Sequence, residues 1–138
     1  MNSFEKGQLR AGQVYGEKSN ELLGPLLGSA IQVAPELVNY MLEFAQGDIY
    51  TRSGLSDKDR ELAITACLIG KGLTNEILEA HFIGMLRCGW TPHEIAEILL
   101  SLIPNIGFPQ VIEAMRCAQK AISLMTSDRD SNNLQHKN

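Results

Sequence analysis

The sequence predicts an all-α protein, and three observations carry that reading. Apolar residues recur at helical spacing through most of the chain, as in Leu37, Val38, Met41, Leu42 and Ala45. Helix starts and stops are punctuated by capping residues, prolines and glycines. No segment alternates with the two-residue period of a strand, and there is no internal repeat. At 138 residues, with 44% hydrophobic and 20% charged, the chain is long enough to build one substantial core. A single domain is expected over residues 1–126, with residues 127–138 as a disordered tail.

Residues 1–20 are polar and carry Gly7, Gly12 and Gly16, which suits an arm or a short helix. Residues 21–33 hold Leu22, Leu23, Leu26, Leu27 and Ile31 but are interrupted by Gly24, Pro25 and Gly28, so a broken or kinked helix is expected. Pro35 suits the start of a helix to about Gln46, with Gly47 placed to close it. After a loop over 48–55, Ser56 is an N-cap with Asp59 at the third helical position, and the helix runs through Glu61 to Ile69.

Thr74 is the expected cap of the next helix, which continues to about Cys88 and stops at Gly89. The following start is the clearest in the chain. Thr91 is the N-cap, Pro92 the first helical residue and Glu94 the partner in a capping box, with Trp90 and Ile95 as a hydrophobic staple. That helix should end near Ile103, before Pro104. Pro109 begins a last helix to about Met125. The polar run from Ser127 lacks apolar periodicity and cannot bury enough surface to offset ordering.

Composition narrows the function. The formal net charge is −4 and the twelve Lys and Arg residues are scattered, which argues against nucleic acid as a partner. No apolar run approaches the roughly 18 residues of a membrane span, and no secretory signal is visible, so a soluble cytoplasmic protein is expected. Cys67, Cys88 and Cys117 form neither a CxxC pair nor a metal-ligand pattern, and each is expected to be a small buried hydrophobe.

Two side chains stand out as proton-transfer candidates. His81 has Ile77, Leu78, Gly84 and Met85 as its helical neighbours, so its ring lies on or beside the buried stripe, where desolvation favours the neutral base. Glu61 belongs to an acidic first turn, where a carboxylate stabilises the helix dipole, but it also adjoins the apolar run that follows. A carboxylate and an imidazole on adjacent helices could share a proton with a bound substrate. A core histidine and a surface glutamate are the competing readings.

The chain resembles the carboxymuconolactone decarboxylase family, which includes the alkylhydroperoxidase D-like proteins. The resemblance is carried by Gly54-Leu55-Ser56, Asp59-Arg60-Glu61-Leu62, Glu79-Ala80-His81, the run from Gly89 to Glu97, and Gly107-Phe108-Pro109. It covers about residues 54–125 and rests on the order and spacing of these pieces together. It implies an alkylhydroperoxidase D-like helical domain of about six helices, assembled as a homotrimer or homohexamer, and a small-molecule substrate.

The resemblance further implies catalytic roles for His81 and Glu61. The peroxidase branch places a CxxC before the histidine, but Thr74 and Ile77 occupy those positions here, so that thiol cycle is lost. The decarboxylase branch also lacks CxxC, and its likeness implies a cofactor-independent, metal-free acid–base lyase for a small carboxylated lactone or related acid. In that reading Arg60 binds a substrate carboxylate. Asn105 stands at the pocket edge, where the decarboxylases resemble one another in having tyrosine. A thiol antioxidant enzyme and a non-catalytic oligomeric binding protein are the alternatives.

Overall fold

In the computed structural model, which describes residues 1–17, 19 and 26–137, the protein is all-α. Seven α-helices and one π-helical segment, and no strand, occur among the described residues. The chain divides into two compact units, Met1–Arg60 and Glu61–Asn138. The division falls inside one helix.

The first unit opens with α1 (Ser3–Tyr15), started by a capping box in which Glu5 N–H donates to Asn2 Oδ1 and Asn2 N–H to Glu5 Oε2. The expected broken helix over 21–33 falls partly on undescribed residues; of it, α2 (Ala30–Val33) is a single turn. Helix α3 (Leu37–Tyr40) runs on into a π-helical segment, Met41–Ile49. The expectation that Gly47 ends this helix is therefore corrected. Gly47 has a packing role instead. A Cβ at Gly7 would strike the Leu42 carbonyl, and one at Gly47 the Ser3 carbonyl, so the two glycines let α1 lie directly on the π segment.

Arg10 organises this unit. It is 3% exposed, its Nε lies 2.9 Å from Asp57 Oδ1, and its Nη1 donates to Gln46 Oε1 at 2.5 Å. Its guanidinium also sits 4.9 Å from the Tyr50 ring centre. One buried cation thus joins α1, the π segment and the first turn of α4 (Asp57–Gly70).

In the second unit, α4 continues from Glu61, followed by α5 (Glu76–Arg87), α6 (Pro92–Ile106) and α7 (Phe108–Gln135). Helices α5 and α6 both pack on α7. The core gathers Ile69, Leu78, Phe82, Met85, Ile95, Leu99 and Val111, with Ala114, Ala118 and Ala121 as the small contact face of α7. Each large side chain buried there contributes about 1.5–3 kcal/mol. The Gln110 amide donates to the Ile69 carbonyl and so caps the C-terminal turn of α4.

Several boundaries differ from expectation for physical reasons. The cap of α5 is Asn75, which accepts from Ile77 N–H at 3.0 Å, not Thr74; either residue type serves, one position apart. Helix α6 passes through Pro104 and ends at Ile106, since a proline this near the end disturbs little of the ladder. Its start is as expected, with Thr91 and Glu94 closing the capping box. Helix α7 does not stop at Met125 but extends to Gln135 as exposed helix, with the Thr126, Ser127 and Ser131 hydroxyls donating to carbonyls one turn back. The disorder expected from residue 127 is thus replaced by helix up to Gln135.

Candidate functional site

Helix α4 begins at Ser56, whose Oγ accepts from Asp59 N–H at 3.1 Å, and that start sets the rotation of every later residue on the helix. Asp57 and Asp59 remain in the first turn, as the dipole favours. Glu61 comes next and is 0% exposed, as buried as the core leucines. A carboxyl in such a place requires hydrogen-bonding partners, because burying it alone costs far more than any helix-dipole gain returns.

One partner is His81. Its Nδ1 lies 2.9 Å from Glu61 Oε2, with side-chain exposures of 16% for the histidine and 0% for the glutamate. His81 sits midway along α5 between Leu78 and Met85, both buried, so the apolar packing of that helix holds the ring in place. The hydrogen bond determines the tautomer. With Glu61 ionised and the imidazole neutral, Nδ1–H donates to the carboxylate and Nε2 becomes the basic nitrogen. When the ring takes a second proton, the adjacent carboxylate stabilises the imidazolium.

The sequence reading missed a third polar group. Thr65 follows Glu61 by one helical turn and therefore shares its face of α4. It is 2% exposed, and its Oγ1 is buried without a hydrogen-bond partner among the described residues. A helical threonine ordinarily donates back to the carbonyl four residues earlier. Thr65 does not. Its position four residues after Glu61 is the one signal in the sequence that could have found it.

Asn105 is exposed in the last turn of α6 and makes no hydrogen bond to Glu61 or His81. Arg60 belongs to the first unit. Its Nη2 donates to the carbonyls of Arg52 at 2.9 Å and Leu55 at 3.3 Å, and its guanidinium lies 5.9 Å from the Tyr50 ring centre.

None of the three cysteines is in a disulfide. Cys117 is buried as expected, Cys88 is partly buried, and Cys67 is exposed, which corrects the expectation of three buried thiols. Cys67 lies on α4 six residues after Glu61, which turns it away from that helix's buried face. Burial pushes the Cys117 thiol above its ordinary value, and the nearby Glu79 carboxylate adds to the shift while Lys120 opposes it. Such a thiol stays protonated and unreactive at neutral pH.

A sequence model of the carboxymuconolactone decarboxylase family matches residues 35–120. The chain is similar to the nitrosuccinic acid decarboxylase npaB of Metarhizium robertsii, 37% identical over 83 residues, covering 60% of this chain and 57% of that protein. It is also similar to the 4-carboxymuconolactone decarboxylase of Acinetobacter baylyi, 30% identical over 82 residues, covering 59% of this chain and 60% of that one. The matches thus span less than two thirds of the length of either relative.

Proposed function

We propose a function from one premise: this chain belongs to the carboxymuconolactone decarboxylase family. It is a cofactor-independent acid–base lyase that removes carbon dioxide from a small carboxylated lactone or a related acid. The single observation that carries this reading is the 2.9 Å contact between His81 Nδ1 and a Glu61 carboxyl sealed from water. Two relatives named as decarboxylases support the reaction class.

The chemistry needs one proton delivered to carbon. Breaking the carbon–carboxylate bond releases carbon dioxide and leaves its electron pair on the substrate as a carbanion or enolate. The His81 imidazolium gives that carbon its Nε2 proton and returns to the neutral ring, which regains a proton from solvent. Glu61 holds the ring through Nδ1 and offsets its positive charge before transfer. Positioned proton transfer of this kind contributes roughly 10²–10⁴-fold to rate. Arg60 and Asn105 are assigned to substrate recognition on the chemistry of their side chains, a fixed cation for a carboxylate and a neutral amide for a hydroxyl or carbonyl.

A thiol peroxidase is the weaker reading. Thr74 and Ile77 supply no thiol, and the raised Cys117 does not supply a thiolate at neutral pH. The test is to offer carboxylated lactones and nitro or keto diacids in deuterium oxide and follow carbon dioxide release and product mass. The expected product carries one deuterium at the carbon that lost carbon dioxide. Peroxide reduction without any decarboxylation would overturn the reading.

A further inference from the structure

We propose that a cavity of the second unit, between α7 and the turn that joins α5 to α6, binds a single aromatic ring carrying one oxyanion. The cavity has a volume of about 230 Å³. That is below the roughly 300–1,000 Å³ of sites for drug-sized ligands, so it has room for one ring rather than for a nucleotide or a fused cofactor. None of its lining residues carries a carboxylate.

The inner wall is apolar and is held by the core. Leu86, in the last turn of α5, and Trp90 both line the cavity and pack against the core cluster. Gly89 takes φ +108°, a left-handed conformation open to glycine, and Trp90 N–H then donates to the Met85 carbonyl at 3.0 Å. The indole is thus carried on a closed turn before any ligand arrives, which favours affinity. The other wall is α7, from which Ile122 and Met125 face the cavity. A flat ring can stack offset on the indole and meet the Met125 sulfur, contacts that a saturated chain does not make.

Arg129 supplies the charge. It follows Met125 by four residues and Thr126 by three, so the three share one face of α7, and all three line the cavity. Arg129 is exposed and makes no hydrogen bond or ion pair among the described residues. Two other cations of the same helix are engaged, Arg116 by Glu113 and Lys120 by Glu79. No other lining residue is cationic. One oxyanion therefore finds a guanidinium fork, whereas a second negative charge would lose water without gaining a partner. The polar extension of α7 beyond Met125 acquires a use, since it brings Arg129 to this cavity.

The site is independent of the proposed lyase reaction. Neither Glu61 nor His81 lines it, and Leu86 lies five residues past His81, on another side of α5.

Trp90 is the single tryptophan of the chain, so its fluorescence reports on the cavity directly. The experiment titrates the full chain at low ionic strength with p-toluenesulfonate. Two controls accompany it, p-toluenesulfonamide as the uncharged isostere and methanesulfonate as the anion without a ring. A saturable change in emission is expected with p-toluenesulfonate, and binding about tenfold weaker for each control. Arg129→Ala should weaken p-toluenesulfonate about tenfold and leave the sulfonamide unchanged, and Arg129→Lys should fall between Arg129→Ala and the parent. Arg129 is exposed and unpaired, so its replacement does not threaten the fold. His81→Gln should bind like the parent. Absence of a saturable change, equal affinity for either control, or unaltered binding in Arg129→Ala would each overturn the proposal. Loss of binding in His81→Gln would do so too, because it would place the probe at the other site.

Discussion

Replacing His81 by alanine should cost stability, whereas replacing His81 and Glu61 together by leucine should not. The single change withdraws an imidazole from a carboxyl that is 0% exposed, 2.9 Å away. Breaking a buried pair from one side costs about 3–5 kcal/mol. The His81 side chain keeps 16% of its exposure, so water can enter part of the space it leaves, and the lower end, about 3 kcal/mol, applies. Glu61→Gln keeps an acceptor for Nδ1–H and should cost about 1 kcal/mol, the difference between a charge-assisted and a neutral hydrogen bond. The leucine double variant removes both desolvation penalties and should fall within about 1 kcal/mol of the parent, or above it. Urea unfolding followed by circular dichroism reads the parent, these variants and the two single leucine changes, provided the slope of the transition is unchanged. A double variant that loses the sum of its two single leucine changes would refute the reasoning. The two side chains would then contribute independently of one another.

Other consequences can be measured on the same protein. Gly7→Ala and Gly47→Ala should each destabilise the first unit by about 1–3 kcal/mol or more, because the added methyl meets a backbone carbonyl that cannot move aside; thermal melts check this. Iodoacetamide at neutral pH should label Cys67 first, Cys88 more slowly and Cys117 last, as mass spectrometry of timed samples will show. The raised Cys117 thiol binds its proton more tightly folded than unfolded. Its contribution to stability is therefore complete below the ordinary value of 9.0 and is lost as pH climbs through the folded value. Urea midpoints from pH 8 to 10.5 should fall, with a shallower slope in Cys117→Ala. Thr65→Val, which replaces an unpartnered buried hydroxyl by a methyl, should leave stability unchanged or raise it.

Local chemistry in the sequence accounts for much of the second unit. The Thr91–Glu94 capping box, the stop at Gly89 and the apolar stripe around His81 each depend on residues within a turn or two of one another. The placement of His81 and Glu61 on adjacent helices could be read from the sequence, but the burial of Glu61 could not. A carboxylate in a first turn looks the same whether the helix turns it outward or inward, and only packing decides.

The first unit was less legible because its determinants are distant. Arg10 and Asp57 are separated by 47 positions, and no pattern in either neighbourhood announces the pair. Gly47 looked like a helix stop because its nearest steric partner, the carbonyl of Ser3, comes from another helix. The π register over Met41–Ile49 has no local signature either. The helix beyond Met125 ran against composition, since hydroxyl-to-carbonyl bonds along its exposed turns do not register in a hydrophobic pattern.

The most direct test of the central claim is kcat/KM for carbon dioxide release in Glu61→Gln, His81→Gln and the double variant, on whichever acid the screen identifies. If the pair acts as one proton-transfer unit, each single change lowers the rate about 10²-fold or more, and the double change costs little beyond the larger single loss. A His81→Gln protein that turns over at the parent rate, or losses that multiply, would contradict the account.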